Sequence, residues 1–427
     1  MDFIDLKTQQ QRIKAKIDSR IQAVLAHGQY IMGPEVKELE ERLADFVGVK
    51  HAVGCASGTD ALLLALMAHN IGPGDAIFTT PFTFFATAEV ISLLGAIPIF
   101  VDIDPRTFNL DPVKLEQAIG ALKNGDPSIY PLPMFSPPAS SEALLKRSAP
   151  PTLSSSALGS ELLELISSTP NSELRTPNLI PRGIIPVDLF GLPADYDRIN
   201  AVGKKHNLFV IQDAAQSFGA EYHQRKACAL SDPACTSFFP AKPLGAYGDG
   251  GMCFTNDDHL ADVLCSLRIH GQGRDKYENV RIGINGRLDT LQAAVLLAKF
   301  EIFPEEIDLR QQVAQRYSHL LSSLGPELSA PFAPYGYKSA WAQYSLLAKD
   351  EAHRSRLQAR LQAASIPTAI YYPKSLHLQA AFAFLGYQEG DFPVSEAVAK
   401  RIFSLPMHPY LKVQDQERIA RALEGRG

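Results

Sequence analysis

The stretch that most constrains this chain runs from Thr236 to Gly251 and reads TSFFPAKPLGAYGDGG. An apolar run, Cys235 to Phe239, overlaps the start of this stretch and predicts a buried strand that stops at Pro240. One lysine, Lys242, follows in a glycine-rich loop. Lysine rarely lies inside a fold unless it is paired or functional, and open α/β sheets bind ligands where core strands end. The lysine is therefore either an exposed turn residue or a desolvated amine that attacks a carbonyl, as Schiff-base lysines do.

A second segment favours the chemical interpretation. The apolar run Leu208 to Ile211 ends in a polar cluster that contains Asp213. An aspartate after a strand is often only a helix N-cap. The cofactor pyridoxal phosphate (PLP), however, requires a lysine for its aldehyde and a carboxylate for its pyridinium nitrogen. Asp213 and Lys242, one strand and its connection apart, together predict a PLP site.

These two segments carry a family resemblance. DAAQSFGA followed by SFFPAKPLGAYGDGG resembles the DegT/DnrJ/EryC1/StrS family of nucleotide-sugar aminotransferases, which are fold-type I PLP enzymes. The resemblance covers nearly the whole chain apart from one insertion. It implies an obligate homodimer with shared active sites and glutamate as the amino donor. Within the family, the chain is most similar to enzymes that aminate C3 of a UDP-linked 3-keto-N-acetylhexosaminuronic acid for surface polysaccharides of the O-antigen type.

The resemblance also assigns roles to residues of the two segments. Lys242 first holds the cofactor and, once freed, serves as the general base and acid of the proton shift. Asp213 pairs with the pyridinium nitrogen, and Gln216 orients it near the ring oxygen. Ser237 stands at the family position that hydrogen-bonds the cofactor phosphate.

Two earlier stretches supply further candidates. The small-residue loop before the apolar helix Ala61 to Met67 offers free N–H groups and a positive dipole end, which suit a phosphate, although the same pattern forms ordinary N-caps. The resemblance makes Gly58 and Thr59 of this loop phosphate ligands. It places Phe84 on the pyridine ring, whereas a core position is the commoner fate of a phenylalanine.

Two later segments have implied roles in the dimer and in substrate binding. Asn285 would contact the neighbour's phosphate and Arg287 the substrate, whereas the residues alone indicate only loop capping before a helix. Tyr371 and Tyr372 occupy the place where relatives commonly carry His-Tyr. A phenol hydrogen-bonds but carries no positive charge at neutral pH, so a UDP- or dTDP-4-keto-6-deoxy sugar aminated at C4 is an alternative substrate. An alternative of another class is a PLP-binding regulator or inactive homologue, although the presence of Lys242 speaks against both.

The order of predicted elements indicates the fold class. Strands that alternate with helices predict an α/β fold with a mostly parallel sheet sandwiched by helices. We expect a large cofactor-binding domain over residues 1–302 and a smaller α+β C-terminal domain over 303–427. A proline- and serine-rich insertion, at about residues 122–181, has little tendency to form a core of its own.

Composition limits the other classes of function. The 427 residues carry a net charge of −5, which gives no reason to expect binding to nucleic acid or a membrane surface. The five cysteines show no CxxC spacing and indicate reduced thiols. The chain contains no long apolar run and no metal-ligand cluster. We therefore expect a cytoplasmic protein without a metal cofactor.

Overall fold

Strands and helices alternate along the first part of the chain in the computed structural model, which describes residues 1–134, 179–322 and 325–425. The strands are β1 (His51–Cys55), β2 (Asp75–Thr79), β3 (Ile97–Phe100), β4 (Ile180–Ile185), β5 (Phe209–Val210), β6 (Gln212–Asp213), β7 (Glu221–Tyr222), β8 (Arg225–Lys226), β9 (Ala234–Ser237), β10 (Gly251–Thr255), β11 (Leu328–Ser329), β12 (Tyr337–Lys338), β13 (Tyr344–Ala348) and β14 (Ile402–Leu405). The α-helices are α1 (Leu6–His27), α2 (Pro34–Val47), α3 (Gly58–Ala68), α4 (Ala86–Leu93), α5 (Pro112–Asn124), α6 (Tyr196–His206), α7 (Asp258–Leu267), α8 (Thr290–Phe300), α9 (Phe303–Leu321), α10 (Glu351–Ala363), α11 (Pro393–Arg401) and α12 (Val413–Glu424).

The central sheet consists of two four-stranded ladders, ordered β3-β2-β4-β5 and β6-β9-β10-β1. The two ladders join where β5 continues into β6 with one residue between them. There the N–H of Asp188 donates to the carbonyl of Asp213 at 3.0 Å. All neighbours are parallel except β10, which runs antiparallel to β9 and to β1. The predicted mostly parallel sheet is confirmed.

Helices cover both faces of this sheet, as the sequence predicts. All five residues of β2 are buried, because a strand with helices on both sides has no solvent-facing side chains. One apolar cluster joins β2 and β3 to α5 and α6, and another joins β1, β9 and β10 to α3.

The strand order sets the position of the site. Strands β2, β6 and β9 point the same way, and β1 shares their direction because two antiparallel steps through β10 separate it from β9. Their carboxyl ends therefore lie at one edge, where Asp213, Ser237 and the residues after Cys55 and Thr79 come together. That edge is the ligand-binding edge of open α/β sheets.

One predicted strand ends earlier than expected. The strand predicted from Cys235 to Phe239 ends at Ser237. Phe238 is still buried and its N–H donates to Gly250 at 2.7 Å, whereas Phe239 is 52% exposed. The chain leaves the sheet at this point because the carbonyls of Phe238 and Phe239 accept hydrogen bonds from within the loop that carries Lys242, from the N–H groups of Ala246 and Lys242.

The C-terminal part has its own small antiparallel sheet, β11-β13-β14, which packs with α9, α10 and α12 around one apolar cluster. Helix α9 begins at Phe303, but a domain boundary at this point stays a prediction. Most of the predicted insertion, residues 135–178, lies outside the described residues. Within the described ranges, none of the helices combines the length and the apolar character needed to cross a membrane.

Candidate active site

Lys242 lies in a tight loop directly after β9. The loop is closed by two backbone hydrogen bonds, from the N–H of Lys242 to Phe239 O at 2.9 Å and from the N–H of Ala246 to Phe238 O at 2.8 Å. Only glycine fits at position 245, because a Cβ there would lie 2.4 Å from the carbonyl oxygen of Pro240. The loop thus fixes the backbone from which the lysine side chain starts.

Asp213 is buried at the end of β6, with 4% of its surface exposed. Its Oδ2 accepts a hydrogen bond from the Thr87 hydroxyl at 2.8 Å, and its Oδ1 accepts one from the N–H of Ala215 at 3.2 Å. Burial raises the pKa of this carboxyl, while the bond from Thr87, the bond from Ala215 and the charge of Lys242 lower it. Hydrogen bonding and a nearby cation thus favour the ionised form against desolvation.

Lys242 and Asp213 influence each other's charge. Burial lowers the pKa of the Lys242 ammonium to about 8, and the negative charge of Asp213 opposes that shift. A lysine with this pKa has a substantial neutral fraction near physiological pH, and only the neutral amine attacks carbonyls or accepts protons.

Gln216, Tyr372 and Phe84 line the same region. Gln216 accepts a hydrogen bond from the N–H of Phe190 at 2.7 Å through Oε1, and its Nε2 donates to the Tyr372 hydroxyl at 3.2 Å. The Phe84 ring is 56% exposed, and its centroid lies 6.3 Å from that of Tyr372. Phe84 therefore does not occupy the core, the commoner fate of a phenylalanine.

Gly58 and Ser237 form a polar cradle at the start of α3. A Cβ on Gly58 would lie 2.6 Å from the Cβ of Ser237, so the backbone approaches this serine as closely as only glycine permits. Ser57 caps the helix by accepting from the N–H of Asp60. Among the described residues, the N–H groups of Gly58 and Thr59 have no hydrogen-bond partner. Two free donors at a helix N-terminus beside a hydroxyl suit a phosphate group.

Asn285 and Arg287 flank Gly286, whose carbonyl accepts a hydrogen bond from the N–H of Ala56, close to the cradle, at 3.0 Å. Arg287 Nε donates to Asn285 Oδ1 at 2.9 Å, and Asn285 is exposed. In the part of the chain that is described, neither side chain makes a hydrogen bond to Lys242 or Asp213. Tyr371 is half-buried and packs against Phe3, with 6.4 Å between ring centroids.

Two groups near the site were not predicted to be functional. One is Thr87, which donates to Asp213 and itself lies 3.2 Å from the Thr83 hydroxyl. Thr83 lies in the loop after β2, where the rule that singled out Asp213 could have found it, whereas Thr87 lies in the first turn of α4 and is not marked by that rule. The other is Lys299, which lies in an apolar helix and gives no comparable signal.

The fold and this edge of the sheet define a class: PLP-dependent transferases of fold type I. The chain belongs to the DegT/DnrJ/EryC1/StrS aminotransferase family, whose sequence pattern matches residues 11–125 and 170–424. The predictions of family and fold type are confirmed.

Individual relatives match nearly the whole chain. The Pseudomonas aeruginosa protein named UDP-2-acetamido-2-deoxy-3-oxo-D-glucuronate aminotransferase is 47% identical over 423 residues, which cover 99% of each chain. A pleiotropic regulatory protein of Geobacillus stearothermophilus is 38% identical over 99% of this chain and 97% of its own length. The crystal structure of a DegT DnrJ EryC1 StrS aminotransferase from Brucella abortus superposes with a TM-score of 0.84 at 44% identity, covering 100% of this chain and 99% of that one.

Proposed function

We propose that this protein is a PLP-dependent aminotransferase that moves an amino group from glutamate to C3 of a UDP-linked 3-keto-N-acetylhexosaminuronic acid, a precursor of surface polysaccharide. The observation that carries the proposal is the pairing, at the carboxyl ends of two neighbouring strands, of a desolvated lysine, Lys242, with a buried carboxylate, Asp213. The 3-oxo sugar acid in the name of the Pseudomonas aeruginosa relative supports the substrate class.

The residues present fit the cofactor. Its phosphate would bind the free N–H groups of Gly58 and Thr59 and the hydroxyl of Ser237. Its ring would lie against Phe84, and Asp213 would hold the ring nitrogen protonated. When bound, PLP supplies an electron sink for the carbanion formed at the substrate carbon.

The chain's own residues would carry out the proton transfer at the substrate carbon. Burial raises the pKa of Asp213, and the hydrogen bonds from Thr87 and Ala215 oppose that rise and favour the ionised form, which would keep a positive charge on the partner nitrogen. The Lys242 amine, with its pKa lowered to about 8, takes a proton from the substrate carbon as the general base. It then donates that proton, as the general acid, at the other end of the 1,3-proton shift. Gln216 orients Tyr372 through a hydrogen bond and so shapes the wall of the site.

The active enzyme would be a homodimer in which Asn285 and Arg287 reach the partner's site. The segment before them exposes large apolar side chains: Tyr277 is 86% exposed and Ile282 is 89% exposed. Such side chains on an ordinary surface are unfavourable, and a second copy of this chain would cover them. Arg287 would then bind the carboxylates of glutamate and of the sugar acid in turn, because its planar fork accepts a carboxylate through two parallel bonds.

The rival class, a PLP-binding regulator, takes support from the name of the Geobacillus stearothermophilus relative. Regulation by itself requires no proton-transferring lysine, whereas this chain retains both Lys242 and Asp213 in an interacting pair. We place the enzyme in the cytoplasm, since all five cysteines carry free thiols, as in proteins of reducing compartments.

The test is half-transamination of the purified, PLP-loaded protein with a panel of UDP- and dTDP-linked amino sugars, followed by absorbance. We expect the fastest conversion with the UDP-3-amino sugar acid and conversion with glutamate as well. Preference for a 4-amino-6-deoxy sugar would replace the substrate and keep the activity. Failure of every amino sugar and of glutamate would overturn the enzyme assignment in favour of a regulator.

A further inference from the structure

Lys299 is a buried lysine that the chemistry above does not use. It lies in α8, none of its surface is exposed, and its ammonium donates to the carbonyl oxygen of Gly245 at 2.6 Å. The ammonium also lies 4.4 Å from the centroid of the Tyr247 ring. A fully buried cation is costly unless its interactions compensate. Both of these contacts are with the segment that carries Lys242.

No carboxylate forms an ion pair with Lys299 among the described residues. Burial lowers the pKa of the Lys299 ammonium to about 8. The negative charge of Glu306, in α9, opposes that shift. Glu306 is itself held by two hydrogen bonds from Gln9 Nε2, at 2.8 and 3.0 Å, and by the Tyr410 hydroxyl. Lys299 thus directs its one short hydrogen bond at the loop and not at the carboxylate.

Helix α8 holds the Lys242 loop, residues 239–247, at a second point as well. Gln292 Oε1 accepts a hydrogen bond from the N–H of Tyr247 at 2.9 Å. Gln292 and Lys299 are seven residues apart, which is two helical turns, so they lie on the same face of α8. The two contacts fix the end of the loop against a rigid helix. The start of the loop is fixed by β9.

We propose that Lys299 is a positioning residue, which holds the Lys242 loop closed through its bond to Gly245 and thereby keeps the Lys242 amine aligned with Asp213. The functional consequence rests on the proposed aminotransferase activity, but the closure of the loop does not. The two claims therefore fail separately.

The experiment compares Lys299→Met, which removes the donor, with Lys299→Gln, which retains an N–H donor. The matched control is Val295→Ala, which truncates a buried side chain of α8 that packs against Ile13 and Ile17 of α1. Hydrogen exchange of the amides of Lys242 and Ala246, measured on cofactor-free protein, reports loop closure directly. The rate of half-transamination by the PLP-loaded enzyme reports whether the Lys242 amine is correctly positioned relative to Asp213.

A lost charge-assisted hydrogen bond should accelerate loop exchange about tenfold or more in Lys299→Met, and Lys299→Gln should recover most of the protection. Val295→Ala should leave loop exchange unchanged relative to the rest of the chain. Half-transamination should slow in Lys299→Met at unchanged substrate affinity. The proposal is overturned if Lys299→Met exchanges in the loop like Val295→Ala, or if the Gln and Met variants lose equal protection. Faster exchange in an enzyme that never transaminates would instead refute the proposed function alone.

Discussion

At the scale of single residues, the charge on Asp213 depends on a neighbour, Thr87, that the sequence does not single out. Thr87 is buried, and its hydroxyl donates to the carboxylate at 2.8 Å, which lowers the pKa of that carboxyl against the effect of burial. The bond therefore favours the ionised form on which the proposed electron sink depends.

Thr87→Val keeps the shape of the side chain and removes the donor. The pKa of Asp213 should rise, so Asp213 should lose its charge at a higher pH and the acid limb of the rate profile should shift upward. A hydrogen bond to a charged group contributes about 1.5–3 kcal/mol, so kcat/KM should fall about ten- to a hundredfold. The measurement is the pH dependence of half-transamination.

Thr83→Val is the matched control, because the Thr83 hydroxyl contacts Thr87 and not the carboxylate. Its effect on the acid limb should be smaller. An unchanged profile in Thr87→Val would show that Asp213 does not depend on this bond.

At the scale of elements, the start of α3 combines a helix end with a close contact to β9. Gly58→Ala adds a Cβ at 2.6 Å from Ser237, so one of the two must move. Alanine is the better helix former, hence the variant should fold while its affinity for PLP drops. Equilibrium dialysis of the cofactor measures that affinity.

Gly120→Ala in α5 is the control for this change. A Cβ there meets nothing within 4 Å, so the variant should gain about 0.5–1 kcal/mol of stability and bind PLP normally. Wild-type affinity in Gly58→Ala would exclude the cradle as the phosphate site.

Most of the elements could be predicted from the sequence. The apolar helix predicted over Ala61 to Met67 lies within α3 and is largely buried. Asp213 and Lys242 could be singled out because each follows a predicted strand, and parallel strands end at one edge of a sheet. The role of Lys299 could not be predicted, because a lysine in the last turn of a helix normally reaches solvent, where it complements the helix dipole. Its contact with Gly245 depends on how α8 packs against the sheet.

At the scale of the whole molecule, the proposed dimer would give a role to two residues that do not bond to the catalytic pair within one chain. Asn285 and Arg287 make no hydrogen bond to Lys242 or Asp213 in the described part of the chain, and the loop before them exposes Tyr277 and Ile282. If a second copy covers that loop, one surface both buries apolar side chains and completes two sites. The order of the elements in sequence would not reveal this arrangement, because the proposed contacts are between chains.

The central claim is that Lys242 carries the cofactor, and one measurement tests it most directly. PLP-loaded protein is reduced with borohydride, digested and mapped by mass spectrometry, with Lys242→Ala as the control. We expect the PLP-loaded protein to be yellow before reduction. After reduction, the cofactor should be fixed to the peptide that contains Lys242, and the Lys242→Ala variant should carry no fixed cofactor. Attachment to any other lysine, Lys299 included, or equal labelling of Lys242→Ala, would contradict it.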